Sequence, residues 1–132
     1  MQHQPTLSRE ELITLATRTY FGAVDAKDLA GTLACFHDSA LFHIQTAFTT
    51  HEGRAGLERM FTDFFAAWEQ IVHRDFVCTV DAAHGRIAAS FEAVLTAADG
   101  QVTRLFNTNF WKVRDGRFQE VHVYMSGANV LV

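Results

Sequence analysis

The spacing of apolar residues changes from helical near the start of this chain to extended over its last third. Ser8 and Glu11 have the spacing of a capping box with Leu7 before it as a staple, so a helix is expected from there. Leu12, Leu15, Ala16, Thr19, Tyr20 and Ala23 give that helix one buried face. Asp28 is placed to cap a second, shorter helix with Leu29, Leu33 and Phe36 on its apolar side, ended by His37, Asp38 and Ser39. Ala40 to Ile44 reads as a strand, Gln45 to Thr50 as a turn with a short return strand, and Gly53 as a break. Leu57, Met60, Phe61, Phe64, Phe65 and Trp68 follow at i, i+3, i+4, i+7, i+8 and i+11, the clearest helical stripe in the sequence.

The extended pattern resumes from Ile71 to Val80 and turns at Asp81 to Gly85. Arg86 to Ala97, Gln101 to Arg114 and Arg117 to Met125 are long strand candidates joined by Asp99-Gly100 and Asp115-Gly116, both hairpin signals. At roughly 3.3 Å per residue such strands reach nearly 40 Å, and strands of that length twist and bend. The expected sheet therefore curls around the helices and encloses an apolar pocket.

A length of 132 residues suits one domain, placed over residues 8–132 behind a loose tail at 1–7. Twelve Phe in a chain that is 48% hydrophobic exceed what a small core requires, which points to a cavity wall or an oligomer interface. The net charge is −4 and the eleven Lys and Arg are scattered, so nucleic acid is not an expected partner. No apolar run is long enough for a membrane span and Met1 to Leu7 lacks a signal-peptide pattern, so a cytoplasmic protein is expected. Cys35 and Cys78 show no metal or redox spacing and read as reduced core thiols, and no His or carboxylate motif suggests a metal.

Four stretches stand out in order, Tyr20-Phe-Gly-Ala-Val-Asp-Ala-Lys-Asp28-Leu, Phe36-His-Asp-Ser-Ala40, His51-Glu-Gly-Arg54 and Trp111-Lys-Val-Arg-Asp-Gly-Arg-Phe118. Together they resemble the nuclear transport factor 2-like superfamily, which includes ketosteroid isomerases, SnoaL-like polyketide cyclases and scytalone dehydratases. The resemblance implies an α+β fold, a cone-shaped roll with three N-terminal helices packed on a strongly curved, mainly antiparallel sheet. It also implies a homodimer, placed here on the convex sheet face, and no cofactor. Such a fold hosts enzymes and pure binders alike.

By resemblance to the steroid isomerases, Tyr20 is the oxyanion donor, Ile44 stands at the position of the base and Thr108 at that of the second donor. A hydrocarbon at the base position disfavours that mechanism. His43 beside it is expected on the opposite side of its strand. By resemblance to scytalone dehydratase, Asp25 and His73 occupy functional places, but the His expected on the next strand is Phe91, which is read as breaking the Asp-His pairing.

Tyr20 and His73 are thus the candidate catalytic residues. The expected ligand wall is Val24, Phe36, Ile44, Phe61, Phe65, Trp68, Phe91, Thr108, Phe110 and Val123. The isomerase resemblance puts Asn107, Asn109, Trp111, Glu120, His122 and Tyr124 outside the cone. A register reversed by one would bring His122, Asn107 and Asn109 into the pocket. The expected occupant is a flat hydrophobic molecule with one or two polar atoms, bound either by a cofactor-independent isomerase, cyclase or dehydratase or by a non-catalytic binding protein.

Overall fold

The computed structural model describes residues 5–132, so the part of the expected tail before Pro5 lies outside the described residues. Helix α1 runs through three consecutive pieces, Arg9–Ile13, a π-helical Thr14–Tyr20 and Phe21–Asp25. Its start is the expected capping box, in which Ser8 Oγ accepts from the Glu11 N–H and Glu11 Oε1 accepts from the Ser8 N–H. The π piece has a physical purpose. Leu12, Ala16, Tyr20 and Val24 are all buried and recur every four residues. In an α-helix that spacing drifts by about 40° per step, and the wider i→i+5 turns remove much of the drift. Phe21, outside the expected stripe, is buried as well, while Thr19 is exposed.

Helix α2, Leu29–Ala34, is capped by Asp28, whose Oδ1 accepts from the Gly31 N–H at 3.0 Å. Phe36 does not extend it. Strand β1, Phe36–Ile44, begins there, because the Cys35 carbonyl accepts from the Phe118 N–H and pulls the chain into parallel pairing with the last strand. Strand β2 is Thr49–Glu52, and helix α3, Gly53–Ala67, buries Leu57, Met60, Phe61, Phe64 and Phe65 as the stripe predicts. Trp68 ends that helix, half-buried.

Strands β3 (Gln70–Asp81), β4 (Arg86–Thr96), β5 (Val102–Arg114) and β6 (Arg117–Met125) complete one sheet of order β2-β1-β6-β5-β4-β3. Among the described residues only the β1–β6 contact is parallel, so the mainly antiparallel sheet is as expected. At the β5–β6 turn Asp115 and Gly116 have φ of +49° and +77°, the paired positive values of a type I′ hairpin. The three helices pack on one face of this curved sheet.

A bulge interrupts β3. Arg74 pairs with Glu92 and Val77 with Ser90, so Asp75, at φ +60°, and Phe76 together stand opposite Phe91 alone. The extra residue changes which side chains face inward, from Ile71 and His73 before it to Phe76, Cys78 and Val80 after it.

The concave face is filled by rings. Tyr20 meets Phe36, Phe61, Trp111 and Phe118 edge-on at centroid distances of 5.4–6.3 Å. Each such contact adds about 0.5–1.5 kcal/mol to the burial of the rings.

Candidate functional site

Helix α1 delivers Asp25 from its last turn to the start of β3. There the carboxylate accepts two hydrogen bonds from one residue, Oδ1 from His73 Nδ1–H at 2.6 Å and Oδ2 from the His73 backbone N–H at 2.8 Å. A carboxylate only accepts, so the Nδ1 proton is fixed, and in the neutral ring the lone pair lies on Nε2. Phe21, one helical turn before Asp25, stacks on the imidazole at 4.3 Å with 26° between the planes, and Phe91 meets it edge-on at 5.5 Å. The His73 side chain is 8% exposed. The expectation that Phe91 breaks the Asp-His pairing is overturned: Asp25 pairs with His73 itself, and Phe91 serves as a wall of the imidazole slot.

His73 lines a hollow together with Tyr20, Val24, Phe61, Phe91 and Val123, so six of the expected site residues share one place. The hollow is small. Its volume is about 30 Å³, room for a water or two, where a drug-sized ligand occupies roughly 300–1,000 Å³. The rings expected to wall an apolar pocket surround a hollow of this small volume and fill much of the bowl around it. Phe64, Val130 and Leu131 contribute to its lining.

Phe36 and Ile44 are buried in the surrounding core, and Phe65 and Trp68 lie farther along α3; none of the four lines the hollow. Thr108 and Phe110 are on the wrong face for a ligand wall. Thr108 Oγ1 bonds Ser90 Oγ at 3.0 Å, and Phe110 is 48% exposed, edge-on to Tyr124. Inward instead are Asn107, Asn109 and Trp111, each under 10% exposed, which the resemblance had put outside. The reason is that β5 carries bulky residues on both sides, so the pattern left its register free and a one-residue slip exchanges the faces. For β6 the expected faces stand, Val121, Val123 and Met125 inward and His122 and Tyr124 outward.

The inward face of β5 is chemically unusual. Asn107 Oδ1, Asn109 Oδ1 and Trp111 Nε1 are buried without a hydrogen-bond partner, and both Asn line the hollow. Each such atom costs about 1–3 kcal/mol of desolvation, a penalty that a ligand or water bonded there would relieve. Burial first, and then Cys35 and Asp25 nearby, push the Tyr20 phenol well above its ordinary value, so it stays a protonated donor. Burial pushes the Cys35 thiol up to about 11, which leaves it a poor nucleophile. Both cysteines are free, as expected. Among the described residues no helix is long and apolar enough to cross a membrane.

The sequence matches the model of the SnoaL-like domain over residues 17–121. A search of curated proteins gives no match. Among solved structures, the chain is similar to a protein from Xanthomonas campestris pv. campestris provisionally named a polyketide cyclase, with TM-score 0.75, 22% identity, and 88% of this chain and 90% of that one covered. It is also similar to the epoxide hydrolase/cyclase-like enzyme SalBIII of pyran ring formation in salinomycin, with TM-score 0.80, 14% identity, and 90% and 93% covered. A third, from Kribbella flavida DSM 17836 and provisionally named a ketosteroid isomerase, gives TM-score 0.69, 21% identity, and 91% and 81% covered. At these identities the likeness is one of fold.

Proposed function

The chain belongs to the SnoaL-like domain family, and we propose that it is a cofactor-independent enzyme that moves a proton on a small hydrophobic carbonyl compound. The observation that carries this reading is the doubly held His73, a buried imidazole whose Nδ1 proton is fixed by Asp25 and which lines a mostly apolar hollow. In the proposed step Nε2 takes a proton from the carbon beside a carbonyl, and the electron pair moves onto the carbonyl oxygen. Asp25 steadies the resulting imidazolium, as a carboxylate does in other His-based sites. Tyr20 and the side-chain amides of Asn107 and Asn109 supply hydrogen bonds to the developing oxyanion. The imidazolium then returns its proton either to another carbon, an isomerisation, or to the alkoxide formed when the enolate carbon attacks a second carbonyl, a cyclisation.

The substrate class is a flat apolar molecule with one or two oxygens, such as a polyketide-like or aromatic metabolite. Its binding requires that side chains now filling the bowl move aside, Phe64, Val130 and Leu131 among them. Names of similar folds, polyketide cyclase, cyclase-like enzyme and ketosteroid isomerase, favour the same class. We assign the homodimer contact to the convex face, where Phe106, Phe110 and Tyr124 are 64%, 48% and 43% exposed.

The test is deuterium exchange at the acidic carbon of cyclic enones and 1,3-diketones in D₂O, followed by proton NMR. The protein should accelerate exchange, and His73→Ala should lower the acceleration by about 10²–10⁴-fold. A compound that binds in the bowl with no exchange and no turnover favours the second reading, a non-catalytic binding protein. The small volume of the hollow is the observation on that side.

A further inference from the structure

On the outer face of the sheet, an imidazole of β1 converges with an imidazole and a carboxylate of β6. His43 and His122 are directly opposed in the parallel β1–β6 pairing, and their rings stack at 4.6 Å with 23° between planes. Glu120 precedes His122 by two positions on β6 and so projects from the same face. Its Oε1 lies 2.9 Å from His43 Nε2 and 3.5 Å from His122 Nε2. One nitrogen or oxygen from each of the three residues falls within 4.8 Å of the others.

We propose that His43, Glu120 and His122 form a binding site for a divalent transition-metal ion of the zinc type. Two imidazoles and one carboxylate are a donor set that zinc takes, with ligand bonds of about 2.0–2.2 Å. Tetrahedral bonds of that length put the donor atoms roughly 3.3–3.5 Å apart, close to the two contacts that Glu120 Oε1 already makes. A hydrogen-bonded ion pair needs only one imidazole on Oε1. The second ring, stacked on the first with its Nε2 at 3.5 Å, is accounted for when both nitrogens face a shared cation.

The surroundings fit. His43 Nδ1 is 2.9 Å from Thr50 Oγ1 on β2. A hydroxyl both donates and accepts, so it can take the Nδ1 proton in its hydrogen bond when Nε2 ligates, the outer contact that orients a metal-bound His. Three protein ligands leave a fourth position, and an outer-face groove lined by Glu120, His122, Phe110, Ala88, Arg86 and Lys112 adjoins them. Arg86 and Lys112 offset the negative charge of Asp81 and Glu120 in that lining, so a water suits the fourth position. The site shares no residue with the Asp25–His73 pair and stands or falls apart from it.

The test uses untagged, chelator-treated protein titrated with ZnCl₂ against a chromophoric chelator, with Co²⁺ as a spectroscopic stand-in. The expected result is one ion per chain, a Co²⁺ absorption of the intensity of four-coordinate sites, and a rise in melting temperature with Zn²⁺. His43→Ala/His122→Ala should abolish the Co²⁺ signal and the Zn²⁺-dependent rise while leaving the melting temperature of metal-free protein within a few degrees. Thr50→Val should weaken Zn²⁺ by about tenfold. Unchanged Zn²⁺ affinity in the double variant overturns the proposal, as does a Co²⁺ spectrum no different from that of the free aqueous ion. Should the double variant fail to fold, Glu120→Gln keeps the question open to decision: affinity equal to that of the parent protein overturns the site.

Discussion

Asp25 holds His73 at two points, the Nδ1–H of its ring at 2.6 Å and the N–H of its backbone at 2.8 Å. One carboxylate therefore ties the end of α1 to the strand that carries the imidazole, and fixes both the position of that strand and the tautomer of the ring. Asp25→Ala removes the acceptor from two donors in a largely buried place. It should lower stability by about 1–3 kcal/mol, measured by urea denaturation. Asp25→Asn can keep only part of the pattern, since its amide offers one acceptor; exchange activity should fall by 10-fold or more, and rates equal to the parent's would remove Asp25 from the chemistry.

Asn109 makes the opposite prediction. Its Oδ1 is buried without a partner, so the protein is less stable than it need be at this position. Asn109→Leu, of similar volume, should leave the melting temperature unchanged or raise it by an amount worth about 1 kcal/mol, while proton-exchange activity drops. A variant that is both destabilised and fully active would show that the amide is only a packing element.

The alkaline limb of stability should belong in part to Cys35. Its thiol titrates at about 11 in the fold against an ordinary 9.0, because burial penalises the thiolate. The unfolded chain therefore releases this proton first. The contribution is fully present below pH 9.0, declines as pH rises from there, and is exhausted above about 11. Urea midpoints between those limits should fall less steeply for Cys35→Ala than for the parent. Tyr20, also raised by burial, adds a later decline that the same substitution leaves in place.

Phe110 tests the assembly. It projects from the convex face next to Tyr124, where an apolar ring gains from a second subunit and a charge does not. Phe110→Glu should convert a dimer to a monomer in light scattering with little change in the far-ultraviolet circular dichroism. A mass equal to one chain for the parent protein would sink the assignment.

His51 tests access to the bowl. Arg59 Nη2 donates to His51 Nδ1 at 3.1 Å and His51 Nε2–H donates to the Leu131 carbonyl at 2.9 Å, which holds the segment carrying two residues of the hollow's lining. His51→Ala should loosen that segment and increase the fluorescence of a hydrophobic dye bound by the folded protein by at least about twofold, on the reasoning that local opening is controlled by few contacts. No increase would place the way in elsewhere.

Much of the fold could be read from the residues because it rests on short-range chemistry. The Ser8–Glu11 box, the Asp28 cap, the α3 stripe and the Asp115-Gly116 turn each act within a few residues, and each is found where the pattern put it. Tyr20, His73, Phe61, Phe91, Val24 and Val123 were recognisable as neighbours once those elements were assembled in the order of a known roll. What the pattern lacked was anything to fix β5, whose two faces are nearly equal in bulk; the buried side was chosen by the pairing with β4 and β6, which turned Asn107 and Asn109 inward and Thr108 and Phe110 outward.

Three other features arose only from contacts between distant parts of the chain. The β3 bulge placed Phe76 and His73 on one side of the sheet, the parallel β1–β6 register set His43 against His122 across 79 residues of sequence, and the crowding of rings left only a small hollow. Local periodicity determined which segments are helix or strand, because backbone propensity and burial repeat at fixed intervals. Which side chains meet was decided by register and by the volume left over after packing, and those are properties of the assembled sheet.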